Sequence, residues 1–296
     1  MKAQALSGVA VVDKPRGATS HTVVAQARRL FGRKDIGHAG TLDPMATGVL
    51  LVLVGQATKL SGYLTADSKR YAAEICFGRA TDTLDAEGQT TAEAPLASGQ
   101  LSLEAVTAAL GHELARSEQT PPAVSAIKVN GERSYALARK GAAVELPPRP
   151  VQVMELRLIE VAPPLLRCEL FVSKGYYVRS LARDLGERLG VPAHLSGLRR
   201  LASGPFTIEQ ATEWPAQEPP PLLGLADAAA SVLPACRLRE EAVLRARQGK
   251  PLRAEDFSEL PQRAELGAWL SPRGELVAIG TATGDLKVVR GFTPES

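Results

Sequence analysis

Residues 37–48 read GHAGTLDPMATG, and Asp43 is the one acidic residue in the stretch. Three glycines, a proline directly after the acid and little apolar bulk mark a loop, not a helix or strand. The proline holds Asp43 extended, and glycine lets backbone approach another molecule closely. The residues that follow, VLLVLVG, are a continuous apolar run of the kind found in a strand covered on both faces. The pattern is a carboxylate on a tight loop, anchored by a core strand. An Asp-Pro loop of this kind serves as a structural Asx-turn or as a functional site, because loops on a rigid scaffold are where binding and catalysis concentrate. The rest of the chain has to decide.

At 296 residues the chain is long enough for a full core, with room for one large domain and a small one. With 45% apolar and 23% charged residues it falls among globular chains and outside the disordered or fibrous classes. No apolar run approaches the roughly 18 residues that span a bilayer, and the N-terminal MKAQALSGVAVVDKP has no secretory-signal pattern. Cys76, Cys168 and Cys236 are widely spaced and match no zinc motif, nor do the four histidines cluster with them. A cytoplasmic, reduced protein without metal is the expectation. Charge is uneven: residues 1–80 hold 11 Lys/Arg against 5 Asp/Glu, whereas residues 81–233 hold 14 against 18. The basic N-terminal segment around the glycine loop suits either a phosphate-facing surface or an ordinary solvated face.

In chain order, GVAVVDKPRG reads as a strand ending in a Pro-Gly turn with Lys14, and Thr19 or Ser20 caps an amphipathic helix, SHTVVAQARRLF. After the Asp43 loop and its strand, QATKLSGYLTADS reads as a helix. KRYAAEICFG alternates, with Tyr71, Ala73, Ile75 and Phe77 on one side of a half-buried strand. RATDTLDAEGQT is a polar turn, and residues 101–114 fit a helix. QTPPAVSAIKVNGERSYALARKG combines a Pro-Pro entry, a short strand, an Asn-Gly turn and a basic helix. VQVMELRLIEV and RCELFVSKG pair through Pro163-Pro164. YYVRSLARDLGERLG is a helix with Leu181, Leu185 and Leu189 inward and Tyr177 and Arg179 in its first turn. LRRLASGPFTI suggests a further strand. Residues 215–224, PAQEPPPLLG, form the best linker. Beyond it the texture changes to one helix and short strands with Gly turns. Helices and strands without strict βαβ alternation favour an α+β fold.

Several stretches carry a resemblance. GHAGTLDPMATGVLLVLVGQATKL closely resembles the motif around the catalytic aspartate of TruB-type tRNA pseudouridine synthases. VVDKPRGATSH, KRYAAEICFGRATDTLDAEG, QTPPAVSAIKVNGERSYALARKG and SKGYYVRSLARDLG resemble family motifs in the same order, and LRRLASGPF closes the domain. The resemblance implies a pseudouridine-synthase catalytic domain, with a mixed, largely antiparallel sheet flanked by helices, over residues 1–232. Residues 233–296 are similar in texture to a PUA domain, a small β-rich RNA-binding module. It further implies isomerisation of uridine to pseudouridine at T-loop position 55 of tRNA, with no cofactor and no metal. The partner would be the tRNA T-arm stem-loop, with no membrane association, and the protein a monomer.

The family's residues map one by one. Asp43 matches the catalytic aspartate; an ionised carboxylate is a competent nucleophile, and an accessible Asp is ionised at neutral pH. Arg179 matches the arginine paired with it, since guanidinium is always charged and grips a carboxylate with two bonds; otherwise it is a surface helix arginine. Tyr71 matches a tyrosine stacked on the extruded base, though alternation alone makes it an ordinary core residue. Tyr177 matches a second tyrosine of the uridine pocket, with Tyr176 standing where a smaller residue is frequent. Leu198 matches an apolar residue closing that pocket, or packs in the core. His38 matches a histidine that enters the T-loop where the flipped base had been. Lys14 with Pro15 matches a motif behind the tyrosine strand. Asp82, Asp85, Lys128 and Arg149 lie in or beside matched stretches and receive no chemical role.

Two rivals share these residues. An RNA-binding protein without turnover would keep the scaffold, but the intact Asp43, Tyr71 and Arg179 set argues for chemistry. A glycoside hydrolase would need a second carboxylate as general acid, which none of the matched motifs supplies.

Overall fold

The computed structural model describes residues 7–65, 68–125, 128–129, 132–133, 146–261 and 264–294. Lys128–Val129 and Glu132–Arg133 pair as two short antiparallel strands, whereas the expected Asn-Gly turn between them and the basic helix over residues 134–141 lie outside the described residues. The chain forms two compact units, one from residues 1–43, 48–66 and 203–296, the other from residues 44–47 and 67–202.

In the first unit β1 (Gly8–Lys14) leads through a Pro-Gly turn into α1 (Ser20–Leu30). Thr19 caps that helix, accepting the Thr22 N–H at 2.9 Å on its hydroxyl. α1 turns Val23, Val24 and Ala27 inward, as its spacing requires. β2 (Ile36–Ala39) and β3 (Thr47–Val54) follow. β3 pairs antiparallel with β2 on one side and β1 on the other, and Leu50 to Val54 are sealed from solvent, as the unbroken apolar run implies. The expected loop over residues 37–48 is therefore shorter. Gly37, His38 and Ala39 are strand, because β3 offers them partners (His38 lies opposite Val52), and only the middle of the stretch leaves the ladder. The expected helix after β3 is a 3-10 turn, Gly55–Leu60, and one helical turn, Ser61–Leu64.

The second unit is built on β4 (Ser68–Phe77), whose residues alternate strictly between buried and half-buried. The hairpin Arg79–Thr81 and Thr90–Glu93 follows, then α2 (Leu103–Leu114). β5 (Val153–Ala162) and β6 (Leu165–Ser173) pair antiparallel, and β6 pairs antiparallel with β4 in unbroken register from Leu165↔Cys76 to Ser173↔Ser68. α3 (Val178–Leu189) packs over β4 and ends at Gly190, with φ 69°. β7 (Ala193–Ser203) then hydrogen-bonds to the other edge of β4, so the predicted strand starts five residues earlier than LRRLASGPFTI suggests.

The chain returns to the first unit with α4 (Leu225–Ala230), β8 (Ala235–Leu238), α5 (Glu240–Arg247), β9 (Phe257–Glu259), β10 (Leu266–Leu270), β11 (Leu276–Thr281) and β12 (Val288–Gly291). The five strands form one sheet, in the order β9-β8-β10-β11-β12. One face has its own core around Trp269, Phe257 and Leu286. The other joins Ala268, Leu270, Ile279 and Phe292 to Val9, Leu51, Leu53 and Leu60 in a single apolar cluster. Gln56 and Thr293 reinforce it with two hydrogen bonds of 2.9 Å. No helix among the described residues is long and apolar enough to cross a membrane.

Candidate active site

The first unit carries Asp43, His38, Lys14 and Pro15. The chain leaves β2 at Gly40, whose φ of 76° is a conformation that a side chain would resist. Leu42 is then held at both backbone groups by one side chain. Its N–H donates to Ser20 Oγ at 3.0 Å, and that hydroxyl donates to the Leu42 carbonyl at 3.3 Å. Met45 and Ala46 are buried on the far side of the Asp-Pro pair. Asp43 between these anchors is half-buried, so a solute can approach it. Lys14 ends β1 opposite Gly48, at the foot of β3. It is fully buried, and its ammonium donates to the carbonyls of Pro15 (3.0 Å) and Ala18 (2.6 Å), closing the turn that leads into α1. His38 is half-buried on β2, and its ring meets His21 edge-on, with centroids 5.3 Å apart.

The second unit carries Tyr71, Arg179, Tyr177 and Leu198. Tyr71 lies on the buried face of β4, opposite Leu170 of β6. Leu198 is half-buried on the adjacent strand β7. Arg179 is only 5% exposed, which removes the surface-helix alternative. Its Nη1 donates to the Thr83 carbonyl at 3.0 Å and stands 3.7 Å from Asp85 Oδ2. Asp85, itself buried, accepts the Thr83 hydroxyl at 2.6 Å and the Glu87 N–H at 3.1 Å. This turn is tightly wound. Leu84 takes a φ of 64°, rare for a branched side chain, and a Cβ at Gly88 would meet Thr83 Oγ1 at 2.3 Å. Strain of this kind persists where the surroundings over-determine it.

Asp85, given no role in the sequence analysis, is the acid that lies beside Arg179. It shares a polar, glycine-bearing connection with Asp82 and Glu87, and only the fold shows which of the three acids is buried. Asp82 instead accepts the Gln89 N–H at 2.8 Å within the turn. Arg149 is exposed, and the Lys128 side chain lies outside the described residues.

The two adjacent tyrosines part company. The Tyr176 hydroxyl donates to Glu113 Oε1 at 2.7 Å in the interior, and burial, with the Glu113 charge beside it, holds its pKa well above the ordinary value. Tyr177 is half-buried at the start of α3 and held by its backbone. Its N–H donates to Gln119 Oε1 at 2.8 Å, and Gln119 Nε2 donates to its carbonyl at 3.1 Å.

Chemically, these parts amount to an accessible carboxylate on a clamped loop, a buried guanidinium on a helix start and an aromatic ring on a strand. A carboxylate can attack carbon or take a proton, a guanidinium can stabilise it as an anion, and a ring can stack on a base. Among the described residues no three His, Cys, Asp or Glu side chains converge as metal ligands would.

Comparison with known proteins accords with this inventory. The model described as TruB family pseudouridylate synthase (N terminal domain) matches residues 28–178, and the tRNA pseudouridylate synthase B C-terminal domain matches residues 179–215. The chain is 41% identical over 303 residues, 98% of both chains, to a protein of Arthrobacter sp. (strain FB24) named tRNA pseudouridine synthase B. It is 50% identical over 208 residues, 69% of this chain and 70% of the other, to one of the same name from Mycolicibacterium paratuberculosis. A chain of the crystal structure of a Cbf5-Nop10-Gar1 complex shares the fold, with a TM-score of 0.71 at 25% identity, over 97% of this chain and 85% of that one. With a family model covering half its length and a relative similar from end to end, the chain belongs to the TruB family of pseudouridylate synthases.

Proposed function

We propose that this protein isomerises uridine to pseudouridine in tRNA, at position 55 of the T-loop, with Asp43 as the nucleophile on a flipped-out nucleoside. The observation that carries the reading is similarity over 98% of the chain to a protein named tRNA pseudouridine synthase B. The accessible Asp43 on its clamped loop supports it.

The reaction is an internal transfer. The N1–C1′ bond breaks, the base turns, and a C5–C1′ bond forms while C5 loses a proton and N1 gains one, so that no co-reactant is consumed. Attack at the ribose C1′, attack at the base C6 and elimination all begin from an ionised oxygen beside the nucleoside. Arg179 is the counter-ion that keeps Asp43 ionised once an uncharged base covers it, because enclosure alone disfavours the charged form. Tyr71 stacks on the base, Tyr177 and Leu198 line the pocket, and His38 fills the gap left in the T-loop. Lys14 and Pro15 match the family motif that supports the tyrosine strand from behind.

Base flipping is required because a stacked nucleotide hides its glycosidic bond. Its cost of a few kcal/mol is offset by replacement stacking and by phosphate contacts. The basic segment 1–80 supplies some of these contacts, and residues 233–296, read as a PUA-like module beside a catalytic domain of residues 1–232, supply the rest. The protein works as a cytoplasmic monomer. Incubation with a T-arm stem-loop, followed by chemical labelling of pseudouridine, tests the reading. Product at one uridine supports it. Tight binding without product makes the chain an RNA-binding module, and release of free uracil makes it a glycosidase.

A further inference from the structure

We propose that the first turn of α1 positions the candidate catalytic loop: Ser20 fixes the peptide that enters Asp43, and His21 fixes the ring of His38. The inference rests on reading Asp43 as the nucleophile and His38 as the side chain that enters the T-loop.

The turn is itself immobilised. Thr19 caps it, and Val23, Val24 and Ala27 bury the helix behind it. Ser20 is 2% exposed, and Leu42 is 4% exposed. A serine hydroxyl offers one donor and acceptor lone pairs, and here both capacities go to one residue, accepting the Leu42 N–H at 3.0 Å and donating to the Leu42 carbonyl at 3.3 Å. That carbonyl belongs to the peptide unit whose nitrogen is that of Asp43, so the hydroxyl sets the plane from which the carboxylate departs. The clamp grips where β-pairing does not reach, since β2 ends at Ala39 and β3 begins at Thr47.

The next residue acts on the other functional side chain. His21 is exposed, so the interior does not dictate its orientation. Its ring nevertheless meets His38 at an interplanar angle of 81° with centroids 5.3 Å apart, the edge-to-face arrangement that aromatic rings favour. Adjacent residues of one helical turn thus hold the residue before the nucleophile and the residue that replaces the flipped base. Their fixed spacing on the helix sets the spacing of those two functions, so that flipping and chemistry are registered to each other.

Misplacing a reacting group by about 1 Å can cost on the order of 100-fold in rate. Ser20→Ala should therefore lower the single-turnover rate constant on a T-arm stem-loop by roughly 10- to 100-fold, while the dissociation constant stays within a few fold. Ser20→Thr, which keeps the hydroxyl, should recover most of the rate. If the alanine variant does not fold, Ser20→Cys, nearly isosteric and a weaker donor, takes its place. His21→Ala should leave the melting temperature unchanged. It should reduce the fluorescence change of a 2-aminopurine placed beside the target uridine, which reports unstacking. Wild-type turnover and an inactive, RNA-binding Asp43→Asn variant are the controls, and their failure would count against the functional reading, not this one. With both controls sound, wild-type rates in Ser20→Ala or Ser20→Cys, or a wild-type 2-aminopurine signal in His21→Ala, would overturn the proposal.

Discussion

Replacing Asp85 removes the buried carboxylate beside Arg179, and its effect can be worked from the structure. Both side chains are 6% exposed and stand 3.7 Å apart. Deleting one partner of a buried ion pair typically costs about 3–5 kcal/mol, because the other charge remains sealed from water. For Asp85→Ala the lower half of that range applies to the pair itself, since Arg179 Nη1 keeps its 3.0 Å bond to the Thr83 carbonyl. The turn bonds from the Thr83 hydroxyl (2.6 Å) and the Glu87 N–H (3.1 Å) are lost as well and bring the total back up. Asp85→Asn separates the two contributions. Its amide oxygen still accepts both turn bonds, which reach Oδ1, while its NH2 group takes the place of Oδ2 and sets a donor against Arg179, at a cost of about 1–3 kcal/mol. At roughly 2–4 °C per kcal/mol, the value for domains of 150–250 residues, the asparagine variant should melt about 2–12 °C lower and the alanine variant about 6–20 °C lower. If half of the asparagine cost falls on the orientation of Arg179 in the transition state, the single-turnover rate drops roughly 2- to 13-fold. Differential scanning fluorimetry and a quenched single-turnover assay measure the two effects. An asparagine variant that melts and turns over like the parent would show that Arg179 needs no negative partner in this turn, and would refute the reasoning.

Other expectations follow from the same contacts. Tyr176→Phe removes a 2.7 Å bond to a buried carboxylate, so it should lower stability by about 1.5–3 kcal/mol yet leave turnover unchanged. Tyr177→Leu, which removes the half-buried ring, should instead lower turnover, and matching kinetic defects in Tyr176→Phe and Tyr177→Leu would contradict the assignment of their roles. Burial pushes the Cys168 thiol up to about 12 and the Cys236 thiol up to about 11, so both should resist alkylation of the native protein at pH 8, as intact-mass measurement would show. Between the ordinary value of 9.0 and those raised values the unfolded chain has lost protons that the folded chain keeps. Stability should therefore fall as pH rises through that window, and a rise there would be the wrong sign. Arg29 is exposed on α1. If it meets a phosphate, Arg29→Ala should flatten the plot of log affinity against log salt by about 0.7–0.9 without moving the melting temperature, whereas an unchanged slope would remove Arg29 from the RNA surface.

Legibility of the fold in the sequence followed local pattern. β4 alternates because one face is covered, and periodicity alone finds Tyr71, Ala73, Ile75 and Phe77 on that face. β3 is recognisable because both of its edges are paired and neither face is exposed. The pattern misleads where a partner strand decides the conformation. Gly37 and His38 look like loop by composition, yet pair with β3. Long-range packing leaves no local mark either, so the shared core of β10, β11 and Phe292 with β1 and β3 could not be read from residues 266–292. That core also means that truncation at Leu233 would uncover Leu51, Leu53 and Leu60, so surface substitution is the cleaner test of whether that region contacts RNA.

In the site, resemblance singled out Asp43 and Arg179, and the fold added how each is held. Ser20 was legible only as a helix cap, and Asp85 only as one of several turn acids. Their buried bonds to Leu42 and near Arg179 depend on segments 22 and 94 residues away in sequence. The charge pattern of residues 1–80 remains a statement about long-range attraction rather than fold.

Asp43→Asn, compared with the wild type on the same T-arm stem-loop, tests the central claim most directly. Pseudouridine is quantified over time by mass spectrometry after nuclease digestion with chemical labelling, and RNA affinity is measured in parallel. The account predicts complete conversion of one uridine by the wild type, none by the variant, and dissociation constants within a few fold of each other. Substantial isomerisation by Asp43→Asn would contradict it, because the ionised oxygen would then not be the group that opens the glycosidic bond.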